Sequence, residues 1–199
     1  MHTNRLVFLP LLSVIFISLS ACIGGTSPPP QFYMLEPISS FEQPAGAAKK
    51  PIVILTSIRI PHYVDRPQIV TATGQNAYQL SELNRWAEEL DHNIRRVLAQ
   101  NLALLVPAEV EFSSNPNTAE RAKFRVSVNI LEFHVDPQKQ AGLKAQWQIT
   151  RNDGMVLNQQ ESYRVPASTT DYSVMVKALN ECLDRLSRDL ADELQDLAV

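Results

Sequence analysis

Cysteine is nearly absent: the 199-residue chain contains Cys22 and Cys182 and no other. No disulfide framework is available to it, and no Cys-x-x-Cys metal or redox pair occurs. Glycine is scarce as well. Of the six present, two stand together at positions 24 and 25, and none builds a phosphate-cradling loop, a dinucleotide fingerprint or a Gly-x-Ser-x-Gly elbow. His2, His62, His92 and His134 are scattered with no H-E-x-x-H spacing, so no metal site is expected. Carboxylates are numerous but fall on helix surfaces among basic partners, not in the contrasting environments that separate an acid from a base. No apolar run reaches the roughly 20 residues that cross a bilayer.

What is present begins with a leader. Met1–Arg5 carries one positive charge, Leu6–Ser18 is almost wholly apolar, and Leu19-Ser20-Ala21-Cys22 closes the segment. The short apolar run with a charged start has the form of an export signal, and the fold begins after it. A cysteine directly after small residues resembles the lipobox of bacterial lipoproteins. That resemblance implies diacylglyceryl transfer to the Cys22 thiol, cleavage before Cys22 and acylation of the new amino terminus, with palmitate as the fatty acid. Ile23 is not an aspartate, which by the same resemblance favours the outer membrane, facing the periplasm. The acyl chains, at about 0.8 kcal/mol per buried CH₂, hold a protein at a membrane without a protein span. Residues 22–31 then read as a tether, loosened by glycine and extended by Pro28-Pro29-Pro30.

Loss of residues 1–21 removes Arg5 and no acidic residue. The 17 basic and 21 acidic residues that remain give a formal charge of −4, with both signs interspersed. Such a surface offers no electrostatic reason to bind nucleic acid or anionic head groups. The mature length suits one domain with a full core.

Periodicity supplies the fold class. Gln31–Leu35 reads as a strand, Pro37–Lys50 as a loop, and Ile52–Ile60 as a strand between prolines. Gln68–Ala72 and Tyr78–Leu80 flank a hairpin turning at Gly74. From Leu83 the spacing Leu83, Trp86, Ala87, Leu90, Ile94, Val97, Leu98, Leu102 predicts a helix, capped by Ser81 or Asn84 and stopped by Pro107. Glu109–Phe112 reads as a short strand before a polar loop over 113–121. Phe124, Val126, Val128 and Ile130 alternate with polar residues, and Leu143–Ile149 does the same. Asn152-Asp153-Gly154 is a turn signal before a strand through Val165. A last helix starts near Ser168–Asp171 and carries Leu179, Leu183, Leu186, Leu190, Leu194 and Leu197, with Cys182 as a small core residue. Glu181 to Arg185 and Asp184 to Arg188 form i,i+4 pairs on its outer side. The expected architecture is α+β: a single domain over 32–199, with two long helices on one face of a mixed or antiparallel sheet.

At Leu131 the strand parity flips, so Leu131, Phe133 and Val135 point away from the preceding apolar set. Either a bulge restores the register, or this end of the sheet shows apolar groups on the face opposite the helices. In the second case Leu131, Phe133 and Val135 are contact candidates, to be buried by a partner or another copy of the chain.

Phe32-Tyr33-Met34-Leu35, Ile58–Thr71 (IRIPHYVDRPQIVT) and Asn84–Leu102 (NRWAEELDHNIRRVLAQNL) together resemble the PqiC-type lipoproteins, the ABC-type transport auxiliary lipoprotein component family. The most specific matches are Asp65-Arg66-Pro67-Gln68-Ile69-Val70 and Arg85-Trp86-Ala87-Glu88; Glu89 stands where that family usually has proline. The resemblance implies a noncatalytic periplasmic subunit anchored in the outer membrane. Its implied partners are an MCE-domain protein and an inner-membrane permease that move lipids between membranes and maintain envelope integrity. Tyr63, Asp65 and Arg66 are then partner-contact candidates beside a structural role in which Arg66 pairs with Asp65 or caps a strand end. Trp86 is read as the start of the core stripe. No cofactor is expected beyond covalent lipid on Cys22. Two rival functions remain: a periplasmic lipid carrier, which needs a continuous apolar cavity between sheet and helices, and a periplasmic hydrolase, which needs convergent polar groups in a cleft.

Overall fold

Strict alternation in Phe124–Ile130 builds the strand on which most of the molecule is arranged. The computed structural model describes residues 28–39, 50–112, 121–152, 154–168 and 170–198. Cys22, most of the expected tether and Asp153 lie outside the described residues. The elements are β1 (Gln31–Tyr33), β2 (Ile52–Arg59), β3 (Gln68–Gly74), β4 (Ala77–Trp86), α1 (Leu90–Leu105), β5 (Glu109–Glu111), β6 (Phe124–Val135), β7 (Gln140–Arg151), β8 (Gly154–Pro166) and α2 (Tyr172–Asp196). All eight strands share one mixed sheet, ordered β1-β4-β3-β6-β2-β5, with β7 on the other edge of β6 and β8 beyond it. Among the described residues, two helices cover one face, as the α+β reading expected. No helix among them is long and apolar enough to cross a membrane.

Between sheet and helices the interior is filled. Ile94, Val97, Leu98 and Leu102 of α1 and Leu183, Leu186 and Leu190 of α2 are completely buried against Phe124, Val126 and Trp147. Cys182 is among them as a small apolar group, and burial pushes its thiol up to about 11.

The parity flip in β6 is resolved by a bulge. Ile130 stands opposite Ala145 and Glu132 opposite Lys144, which leaves Leu131 as the extra residue. Phe133 and Val135 are thereby turned back into the core, 2% and 0% exposed. This corrects their expectation as partner-contact residues: they are buried by their own chain, Phe133 with its ring 6.4 Å from that of Trp86. Of the three, Leu131 alone reaches solvent. The opposite sheet face is polar, with Ser57, Arg59, Ser127, Asn129, Gln146 and Gln148 lining a groove of about 310 Å³.

Strand pairing also moves the start of α1. Gln31–Tyr33 pair in parallel with Asn84–Trp86, and Gln68 pairs with Arg85, so residues expected in the helix are held in β4. Ser81, expected as a helix cap, instead accepts from the Asn84 backbone N–H at 3.1 Å where β4 slips against β3. The helix begins at Leu90 after Glu89, with no side-chain cap. Trp86 is buried core, though on a strand. The hairpin closes on Gly74 opposite Ala77, and Asn76, not Gly74, takes the left-handed conformation at φ 59°. The second helix is capped by Asp171, whose carboxylate accepts from the Ser173 and Val174 backbones.

Candidate functional site

The loop between β2 and β3 carries the sequence-derived candidates. Val64, 2% exposed, fixes it in the core, and the Val64 and Asp65 N–H groups both turn back to the Pro61 carbonyl. Asp65 and Arg66 are thereby held outward on a short rigid tip. The Arg66 guanidinium reaches the His62 carbonyl at 3.4 Å; no ion pair between Arg66 and Asp65 is found among the described residues.

Tyr63 points inward from the same loop. Its Oη accepts from the Phe133 N–H at 3.2 Å and shares a hydrogen bond with His134 Nδ1 at 2.8 Å. Tyr78 completes an aromatic cluster, its ring centroid 5.1 Å from Tyr63 and 5.5 Å from His134. Burial pushes Tyr63 up to about 12 and holds His134 below the usual histidine range despite the attraction of nearby Glu132. Both groups are kept neutral, and the arrangement locks the loop to β6. Beside it, Arg164 lies across Gly142, where a Cβ would come 1.8 Å from Nη1, and pairs with Glu132 at 2.9 Å.

A second set of polar side chains grips the incoming N-terminal chain. Asn93 accepts from the Leu35 N–H at 2.7 Å and donates to the Leu35 carbonyl at 3.0 Å. Asn180 accepts from the Glu36 N–H at 2.7 Å, and Asn101 from the Ile38 N–H at 2.9 Å. Asn101 also donates to Asp184 and Ser187. Asp184 is thus turned to Asn101 and Asn180 instead of forming the expected salt bridge with Arg188, and burial raises its carboxyl. The expected Glu181–Arg185 pair forms at 3.1 Å. Apolar periodicity does not single these asparagines out, though Asn101 interrupts an apolar stripe, the one visible sign that it bonds something buried.

The cavities are small or polar. One apolar pocket of about 290 Å³ lies between Val53, Phe124, Val106 and the end of α2 at Leu194. That is at the lower limit for a drug-sized ligand. A larger one, about 660 Å³, opens between Met34–Ser39 and α2 and is lined in part by Lys177, Glu181, Asp184 and Arg188. Neither forms a continuous apolar chamber under the sheet. Among the described residues, Glu89, Asp91 and His92 bring possible metal ligands together, but on the surface, where His92 stands 3.3 Å from Glu89 as an ordinary i,i+3 pair.

The family sequence model described as "ABC-type transport auxiliary lipoprotein component" matches residues 33–191, so it runs from the last residue of β1 through most of α2 and includes the whole β2–β3 loop. The chain belongs to that family. Among ABC-type transport auxiliary lipoproteins it is similar to the intermembrane transport lipoprotein PqiC of Escherichia coli K12, 21% identical over 187 residues, covering 94% of this chain and 97% of that protein. The PqiC of Shigella flexneri matches to the same extent. Two crystal structures share the fold. One, of an uncharacterized protein, has a TM-score of 0.70 at 18% identity, covering 84% of this chain and 99% of the other. The second, a Xanthomonas campestris protein, has a TM-score of 0.65 at 12% identity over 85% of this chain and 99% of its own. The family match begins after Cys22, so the anchor expected for this auxiliary lipoprotein lies outside both the match and the described residues.

Proposed function

We propose that the protein is a noncatalytic docking subunit of an intermembrane lipid transport system, held at the periplasmic face of the outer membrane through acylated Cys22. Its partner is an MCE-domain protein, and its role serves envelope integrity. The observation that carries this reading is the family match over residues 33–191. The packed interior supports docking over carriage, since among the described residues neither the 290 Å³ nor the 660 Å³ cavity offers a lipid chain a continuous apolar path. The hydrolase reading finds no support at Tyr63 and His134, which are engaged with each other, the Phe133 N–H and the Tyr78 ring in a packed cluster.

Contact with the MCE-domain protein is assigned to Asp65 and Arg66, the charged pair that the β2–β3 loop presents on a fixed tip. Affinity isolation of the intact lipoprotein from membranes tests it. An MCE-domain protein is expected to co-purify with the wild-type chain and to be depleted with Arg66→Glu, while the thermal midpoint stays unchanged. Equal recovery with the variant removes the loop from the interface, and absence of any MCE-domain protein from the wild-type sample removes the docking role.

A further inference from the structure

The two ends of the body differ in what they expose. At one end Pro28 and Pro29 meet Leu83 and Tyr172, in the first turn of α2, around an open cavity of about 480 Å³. Gln31 pairs there with Asn84, and the Tyr33 and Tyr172 rings stand 6.3 Å apart. The chain therefore leaves the body toward Cys22 at the N-terminal end of α2. The other end of that helix, at Asp196, is about 36 Å away along its axis.

Large apolar side chains gather at the exit. Phe32 is 61% exposed, Met34 44% and Leu83 39%. Phe32 and Met34 flank Tyr33 in sequence, and Met34 lines the neighbouring cavity with Ser173 and Val176. Strand alternation puts Phe32 on the face opposite Tyr33, so apolar groups stand on both sides of the exit strand. Phe32 pairs across the sheet with Arg85, while Glu82 and Asp171 are the acidic neighbours. Mixed charge of this kind does not attract an anionic surface, so an interaction made here is apolar.

We propose that this end of the body rests on the lipid surface, with Phe32, Met34 and Leu83 entering the membrane interface beside the anchor. The inference depends on the reading of Cys22 as the acylated residue. Five residues lie between Cys22 and Pro28, and even fully extended these six steps span at most about 22 Å. An acylated sulfur thus keeps the exit end beside the lipid continuously, and a tethered contact needs little affinity of its own. The tether alone leaves the body free to tumble, whereas the apolar contact orients it and sends the C-terminal end of α2 away from the bilayer.

The test uses the full lipoprotein purified from membranes and reconstituted into phosphatidylethanolamine and phosphatidylglycerol vesicles. An environment-sensitive fluorophore is placed at Leu83→Cys or, for the far end, at Asp196→Cys. Cys182 is fully buried and its raised thiol makes it slow to label. Quenching by acrylamide is expected to be several-fold weaker at position 83 than at 196, at every protein-to-lipid ratio and regardless of salt. Adding Phe32→Asp is expected to restore quenching at 83, with unchanged circular dichroism. Equal quenching at the two positions overturns the proposal. Protection that appears only at high protein density assigns the surface to a second copy and also overturns it. An intact mass lacking lipid identifies the failure as that of the Cys22 reading, and the membrane contact falls with it.

Discussion

Phe133 is 2% exposed between the bulged end of β6 and Trp86. Its replacement by alanine removes a ring from a site that cannot collapse, and Phe133→Ala is expected to cost about 3–5 kcal/mol in urea unfolding. A charged residue there prevents folding altogether, where an interface residue would leave the monomer intact. His134 links single-residue chemistry to pH. Burial lowers its folded pKa below the unfolded value of about 6.5, so above that pH both states are neutral and the full stability is present. As pH falls through 6.5 the unfolded chain takes up its proton first, and stability drops until the folded pKa is passed. Tyr63 acts at the other limit: its folded pKa of about 12 lies above the ordinary value of 10, so stability is lost as pH rises from 10 toward 12. Thermal midpoints across pH 5–8 are expected to show a shallower acid slope for His134→Gln than for the wild-type chain. Identical slopes would place the acid sensitivity elsewhere.

At the scale of elements, the N-terminal chain is held to the helices by side chains instead of a strand ladder. Asn101 is completely buried and serves the Ile38 N–H, Asp184 and Ser187 at once. Asn101→Ala strands the Ile38 N–H, at about 1–3 kcal/mol for a group left unpaired, whereas the Ser187 hydroxyl keeps its bond to the Leu183 carbonyl at 2.8 Å. Amide exchange at Ile38 is expected to accelerate more than exchange at the α2 core, and equal acceleration at both would mean the variant had simply unfolded. These contacts also mark what the sequence leaves illegible. Strands β6 and β7 are legible because each has one wet face, β8 because a turn signal precedes it, and α2 because its leucines recur at steps of three and four with Asp171 before them. The start of α1 is not, because Leu83 and Trp86 fit a helical stripe while the backbone of 84–86 is taken by β1, 53 residues earlier in the chain. Local spacing cannot register a partner that distant. The bulge at Leu131 was visible as a parity flip, but its outcome depended on β7 supplying Ala145 and Lys144 opposite Ile130 and Glu132. For the candidate site, the Asp65-Arg66 loop was legible as a motif. Its support by Tyr63, His134 and Tyr78 was not, since three residues from three elements meet only in the fold.

For the whole molecule, a filled two-layer body with a short N-terminal lead suits a part that positions others. Docking, apolar contact with lipid and orientation of the body all presuppose that Cys22 is the point of attachment. Intact-mass measurement of the mature chain, extracted from separated outer-membrane fractions, tests this most directly. The expected product is a chain that starts at Cys22 and carries diacylglyceryl on sulfur and a fatty acid on its amino terminus. A soluble chain with a free thiol at Cys22, or one retaining residues 1–21, would contradict it.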